Sequence, residues 1–218
     1  MTPPDVTVLL TGFEPFGGEP INPSWEAVRT LDGWQAPGFR VVAAQLPCVF
    51  VAEREALAAL MARHQPACVI AVGQAGGRAD ISLERVAINV DDARMPDNAG
   101  HQPIDEPVVP GGPAAYFSTL PIKAIVHRLR GEGLPASVSQ TAGTFVCNHV
   151  FYAALHLAAQ QPGLRAGFVH IPYLPEQAAR HAGAASMSLD SIVQSLRAVV
   201  RESVHTRADL RETGGRLD

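Results

Sequence analysis

Short β-branched apolar runs alternate along the chain with longer segments in which apolar residues recur at helical spacing. Val6–Thr11 predicts a first strand that ends in the Gly-rich loop Gly12-Phe-Glu-Pro-Phe-Gly-Gly18. Asn22-Pro23 predicts a helix start, with Asn as cap and Pro at the first helical position. Phe39–Leu46 reads as a second strand, Val51–His64 as an Ala-rich helix and Ala67–Val72 as a third strand, followed by Gly73-Gln-Ala-Gly-Gly77. Ile81–Val90 is one further extended run, and Arg94–Pro113 is a loop rich in Pro, Gly and Asp.

The second half repeats the rhythm. Ile122–Arg130 predicts a short helix, Ala136–Gln140 a strand, Phe145–Gln160 a long helix and Arg165–Pro172 a strand. Leu189–Val204 is an amphipathic helix capped by Ser188, and the polar residues from about 205 onward are expected to fray. Alternation of this kind predicts an α/β fold: residues 1–218 form a single domain whose mostly parallel, twisted central sheet carries helices on both faces. Sites in such sheets gather beyond the carboxyl ends of the strands. That directs attention to the loops after the first, third and fifth of these strands and to the end of the sixth.

Composition narrows the function classes. Hydrophobic residues make up 47% of the 218 and charged residues 17%, which suits a chain with a sizeable core rather than a disordered one. The net charge is −4 and no Lys/Arg run occurs, so nothing points to nucleic acid or an anionic membrane as partner. Met1–Asp5 has neither the basic nor the apolar region of a signal peptide, and no apolar stretch approaches the roughly 20 residues needed to span a bilayer. Three cysteines are too few and too odd for a disulfide framework, so a cytoplasmic location is expected. They are also far apart, without the ligand spacing of a zinc site.

One cysteine has a distinctive setting. Cys147 follows a strand and a Thr-Ala-Gly turn, in Ser139-Gln-Thr-Ala-Gly-Thr-Phe-Val-Cys-Asn148. Thr144 after Gly143 signals a helix start that puts the sulfur in the first turn, near unpaired N–H groups and the positive end of the helix dipole. Such a position favours the thiolate. The local pattern leaves a reactive and a merely buried thiol both open, and Cys48 and Cys68 read as small buried hydrophobes.

Eight histidines compete as its base. His149 and His156 share the helix of Cys147 and, at 100° per residue, point away from it. His64, His101, His127, His181 and His205 lie in polar or loop-like settings. His170 ends the apolar strand Ala166-Gly-Phe-Val-His-Ile-Pro172, and in a parallel sheet a strand-end histidine faces the edge that carries the loop of Cys147.

For a third member, Glu84 in Ile81-Ser-Leu-Glu-Arg-Val-Ala-Ile-Asn89 is the candidate, orienting His170. Read from the strand alone, a structural ion pair involving Arg85 is the better account. Asp91, Asp92, Asp97 and Asp105 are competing acids whose cluster reads as a solvated surface. The N–H of Cys147 can serve an oxyanion, and the loop of Arg94 can add a second backbone donor.

Together these segments resemble pyroglutamyl peptidase I, the pyrrolidone-carboxylate peptidase family of cysteine peptidases. The resemblance rests on Gly73-Gln-Ala-Gly76 with Ile81–Asn89 and on Ser139–Asn148. Thr11–Gly17, Arg94–Asn98 and Gly167–Tyr173 support it, and it extends in order from about Val8 to Val200. It implies a Cys147–His170–Glu84 triad that releases N-terminal pyroglutamate from peptides, with no metal or organic cofactor, and a homo-oligomer, commonly a tetramer. It also implies that Arg94 supplies an oxyanion N–H, that Phe13, Phe16 and Phe145 pack around the substrate ring, and that Gln74 lies near the ring's polar edge. Cys48 stands where Val or Thr is usual in the family, a departure in the lining rather than in the triad. The residues agree with that chemistry. A pyroglutamyl group lacks a free α-amine, so its pocket needs apolar walls and a few amide-like partners and no carboxylate for an ammonium. A cysteine amidase for another small lactam or amide, and a silent binding protein of the same fold, are the alternatives.

Overall fold

A computed structural model describes residues 6–215; the Met1–Asp5 segment, read above for signal-peptide features, lies outside them. Among the described residues nine strands and six α-helices follow in chain order. They are β1 (Val6–Phe13), α1 (Pro23–Val28), β2 (Gln35–Ala36), β3 (Phe39–Leu46), α2 (Ala52–His64), β4 (Cys68–Gln74), β5 (Ile81–Glu84) and β6 (Val86–Ile88). After them come β7 (Ala115–Phe117), α3 (Ile122–Gly131), β8 (Ala136–Ser139), α4 (Val146–Ala158), β9 (Arg165–Ile171), α5 (Pro175–Ala178) and α6 (Leu189–His205). Seven strands form one sheet in the order β2-β3-β1-β4-β9-β5-β8, and β6 pairs with β7 in a separate two-stranded ribbon.

The strand patterns explain the layering. β1 and β4 are buried along nearly their whole length, as central parallel strands with both faces covered must be. Alternate residues serve opposite cores: Val8, Leu10, Cys68, Ile70 and Val72 face the side of α1, α3 and α6, while Leu9, Val69 and Ala71 face the side of α2 and α4. On β9, Val169 and Ile171 belong to the first core and Phe168 to the second. His170, two residues from Phe168, therefore projects to the α2/α4 side.

The main departures from expectation concern direction and continuity. β1, β3, β4 and β9 are mutually parallel, but β5 runs antiparallel to β9, and β8 runs parallel to β5. The Ile81–Val90 run breaks at Arg85: its first half pairs in the main sheet, its second turns away to pair with β7. The caps at Asn22 and Ser188 form as the sequence requires, with their side chains accepting from Ser24 N and Ser191 N.

Beyond α6 the described residues are docked, not frayed. Pro121 offers α3 no side-chain cap, and Asp209 fills that place: its carboxylate accepts from Lys123 N and Ala124 N at 2.9–3.2 Å. Lys123 Nζ donates to Glu212 O, and Arg85 Nη2 donates to Gly214 O at 2.7 Å. A carboxylate at a helix N-terminus satisfies orphan N–H groups and the dipole together, which explains why a polar tail settles here. Asp209→Ala should lower unfolding free energy by about 1 kcal/mol in urea titrations, the usual worth of an N-cap, while leaving kcat/KM at the wild-type value.

Candidate active site

The three residues of the candidate triad meet on the α2/α4 face of the sheet. Ser82 lies opposite His170 in the antiparallel β5–β9 pair, so Glu84, two residues along, shares that face with Phe168 and His170. His170 Nδ1 donates to Glu84 Oε1 at 2.7 Å. Both groups are buried, Glu84 completely and His170 with 4% of its surface exposed. With the Nδ1 proton held by Glu84, neutral His170 presents an unprotonated Nε2, the atom a base needs.

Cys147 reaches this face by a different route from the one expected. β8 is not a parallel neighbour of β9; β5 lies between them and both β5 and β8 run against β9. Residues 140–145 lead from β8 into α4, which packs on β9, β4 and α2. Cys147 is the second residue of α4, where first-turn N–H groups lack intrahelical acceptors. Gly73 of β4, paired with His170, makes room for the sulfur: a Cβ there would lie 2.8 Å from Cys147 Sγ and 2.7 Å from Phe168 Cζ. Thr144 does not cap the helix. Phe145 occupies the cap position with no side-chain bond, and Thr144 Oγ1 instead donates to Asp92 O at 2.8 Å.

Electrostatics favours a neutral pair. Burial pushes the Cys147 thiol up, with Cys48, Glu84 and Glu53 adding to it and only Arg78 opposing. Burial lowers His170, more than its bond to Glu84 raises it. The thiolate suggested by the helix start is thus outweighed by desolvation, and among the described residues no hydrogen bond joins the thiol to the imidazole. The proton must then move during attack. Cys48 and Cys68 are buried thiols, each likewise pushed up to about 12, chiefly by desolvation, so what sets Cys147 apart is its place against Gly73 on the face of His170 and not the direction of the shift.

Glu84 does not pair with Arg85. Its partner is Arg78, whose Nη1 donates to Glu84 Oε1 at 2.6 Å, while Arg85 is turned to the C-terminal tail. The sequence pattern does not single out Arg78, although a fully buried carboxylate calls for a cation within reach. Of the competing acids, Asp92 and Asp105 are exposed as expected, but Asp91 and Asp97 are not solvated. Asp91 is buried and accepts from His149 Nδ1 at 2.6 Å, and buried Asp97 accepts from Phe50 N, Ala99 N and His101 N at 2.9 Å. Glu53, wholly buried on α2, has its carboxyl held far above the usual range by desolvation and by Asp91.

Of the remaining candidates, Phe13, Phe16 and Phe145 belong to the apolar cluster that also holds Cys147. Arg94 is exposed in a loop stapled to the entry of α4, where Asp92 N donates to Thr144 O at 2.9 Å, and its own N–H has no acceptor among the described residues. Phe16 and Phe145 are half-buried with ring centroids 6.2 Å apart, and Phe50, unforeseen from sequence, meets Phe145 edge-on at 5.4 Å. Phe13 is buried against Phe168, as a wall behind the site. Gln74 Oε1 accepts from buried Gln177 Nε2 at 3.1 Å, which leaves the Gln74 amide nitrogen free to donate. Among the described residues no group of three or more His, Cys, Asp and Glu side chains is arranged to hold a metal ion.

Comparison with known proteins places the chain in a family and matches its fold. The family model described as pyroglutamyl peptidase matches residues 6–206. The chain is 64% identical over 213 residues to the pyrrolidone-carboxylate peptidase of Cupriavidus necator, covering 97% of this chain and 99% of that one. It is 58% identical over 209 residues to that of Escherichia fergusonii, covering 96% and 98%. Its fold superposes on the crystal structure of pyroglutamyl peptidase I from Bacillus amyloliquefaciens with a TM-score of 0.92 at 49% identity, covering 94% of this chain and all of the other. A mutant pyrrolidone carboxyl peptidase from Pyrococcus furiosus gives 0.90 at 42% identity, covering 93% and 100%.

The close approach at Gly73 gives a direct test. Gly73→Ala should displace Cys147 Sγ and reduce hydrolysis by about 100-fold, the effect of a roughly 1 Å misplacement, in a protein that still unfolds cooperatively in urea. Wild-type kcat/KM in that variant would show that the sulfur's position against β4 is immaterial.

Proposed function

The chain belongs to the pyroglutamyl peptidase family of cysteine peptidases, which remove N-terminal pyroglutamate from peptides, and from that premise we propose that Cys147 is its nucleophile, His170 its base and Glu84 the residue that orients the base. The observation that carries this reading is the buried His170–Glu84 hydrogen bond on the face where α4 delivers the thiol. Glu84 and His170 lie on one sheet and Cys147 on the helix packed against it, and we assign the whole of residues 1–218 to a single catalytic domain.

The reaction follows from the neutral pair. Cys147 Sγ attacks the pyroglutamyl carbonyl carbon while its proton passes to His170 Nε2, and Glu84 stabilises the imidazolium. The N–H groups of Cys147 and Arg94 are the donors assigned to the oxyanion. The C–N bond then breaks, His170 Nε2 protonates the leaving amine, and a thioester remains on Cys147. Water attacks it, giving a proton to His170; the C–S bond breaks, the thiol recovers its proton and pyroglutamate leaves.

Phe16, Phe145 and Phe13 form the apolar wall for the flat lactam, and Gln74 offers its amide nitrogen to the ring's polar edge. A homotetramer in the cytoplasm belongs to the same proposal. Phe117 and Ile104, 70% and 67% exposed, are apolar positions that an interface between copies would cover. No helix among the described residues is long and apolar enough to cross a membrane.

Cys147→Ala should reduce kcat/KM for a pyroglutamyl fluorophore amide by about 10⁴-fold or more without loss of fold; retained turnover would sink the mechanism. Prolyl and free glutaminyl amides should be poor substrates for the wild-type protein. Because burial lowers His170 and the base works only when neutral, activity should persist below pH about 6.5, the ordinary imidazole value. A kcat/KM profile whose acid limb lies above that value would contradict the assignment of the base.

A further inference from the structure

Glu84 Oε1 accepts two hydrogen bonds at once, from His170 Nδ1 at 2.7 Å and from Arg78 Nη1 at 2.6 Å. Glu84 Oε2 is buried with no partner among the described residues, so every polar contact of this carboxylate passes through one oxygen. The other arm of the same guanidinium, Nη2, donates to Thr141 O at 2.9 Å. Thr141 lies in the segment between β8 and α4 that delivers Cys147, and its carbonyl also accepts from Ser139 Oγ at 3.1 Å. Arg78 itself projects from the turn after β4, whose N–H donates to Ala75 O, and its side chain is 29% exposed. One planar fork thus spans three pieces of chain: the turn after β4, the acid on β5 and the approach to the nucleophile.

We propose that Arg78 is a positioning residue for the hydrolysis, acting through Glu84 on His170 and through Thr141 on the loop that carries Cys147. The proposal rests on the triad reading above. Arg78 touches neither reacting atom. Its first effect is orientation: with one carboxylate oxygen pinned by Nη1, the lone pair facing His170 Nδ1 has a fixed direction, and so does the imidazole. Its second effect is charge. The Glu84 carboxylate raises the proton affinity of His170, and a proton on Nε2 disables the base. A cation beside the carboxylate opposes uptake of that proton; the influence of Arg78 on His170 is in this direction, lowering it. The charged or titratable groups facing His170 are Glu84 from β5, Arg78 from the turn after β4 and Cys147 from α4, so removal of Arg78 leaves no positive charge in the set. Lysine keeps the charge but not the fork, and one ammonium cannot serve Glu84 and Thr141 in the same geometry.

The test measures kcat, KM and the pH dependence of kcat/KM for full-length R78M and R78K against wild type, with Cys147→Ala as reference. In R78M, kcat should fall by about 10–100-fold, a fraction of what general base catalysis contributes, with KM changed by less than about threefold. Its acid limb should move to higher pH. R78K should return the limb towards the wild-type position while recovering only part of kcat. R78Q repeats the comparison if R78M proves poorly folded in urea titrations. A wild-type kcat in R78M, or a loss of kcat in a folded variant whose acid limb stays in place or moves down, overturns the assignment. Turnover by Cys147→Ala would instead overturn the triad, whereas an inert Cys147→Ala beside a fully active R78M would remove Arg78 alone.

Discussion

The hydrogen bond between His170 Nδ1 and Glu84 Oε1 is the contact on which the arrangement of the site depends, and it exists because one strand runs backwards. Inserted antiparallel beside β9, the strand lays its last residues back along His170. A carboxylate in that position is wholly buried, and an isolated buried charge is prohibitively expensive, so a cation has to accompany it. Arg78 meets that requirement from the adjacent turn. Its place in the fold follows from the burial of Glu84 as much as from catalysis.

Burial also decides the state of the nucleophile. A helix N-terminus is worth at most a couple of kcal/mol to a nearby anion. The loss of water around a thiol enclosed by α4, β4 and the aromatic side chains works against it, and desolvation is the largest influence on Cys147. The directions of both shifts favour a neutral thiol beside a neutral imidazole, and in the proposed reaction charge separates only while the bond to the substrate forms. An enclosed apolar site suits a substrate that is itself uncharged at its amino terminus. No carboxylate is needed to receive an ammonium, and the aromatic walls cost little to desolvate.

The periodic patterns made most of the elements legible. β3 at Phe39–Leu46, the cap at Asn22 and the cap at Ser188 fall where the residues place them, because each rests on local physics: alternation across a pleat, or a side-chain oxygen meeting a free N–H. The break at Arg85 was not legible. Ile81–Val90 alternates acceptably throughout, and only pairing with β7 in a separate ribbon turns its second half out of the sheet. The docked tail departs from expectation for a related reason. Asp209 is unremarkable in its own segment, and its role as the cap of α3 depends on a helix 85 residues earlier that supplies no cap of its own.

For the site, residue types nominated Cys147, His170 and Glu84 without deciding among their alternatives, the family resemblance joined them into one set, and helix periodicity set aside His149 and His156. The sequence could not tell that Glu84 would pair with Arg78 and not Arg85. Neighbours on a strand point to opposite faces, and which of two nearby arginines meets a carboxylate depends on where the strand turns. Nor could it show that Asp91 and Asp97 are buried and bonded, since a run of acids in a loop reads as solvated until something packs over it. Local chemistry and family pattern were written in the chain; strand direction, ion-pair choice and the protonation state of the thiol were decided by packing. Those three depend on distances and dielectric between segments far apart in sequence, which no local pattern encodes.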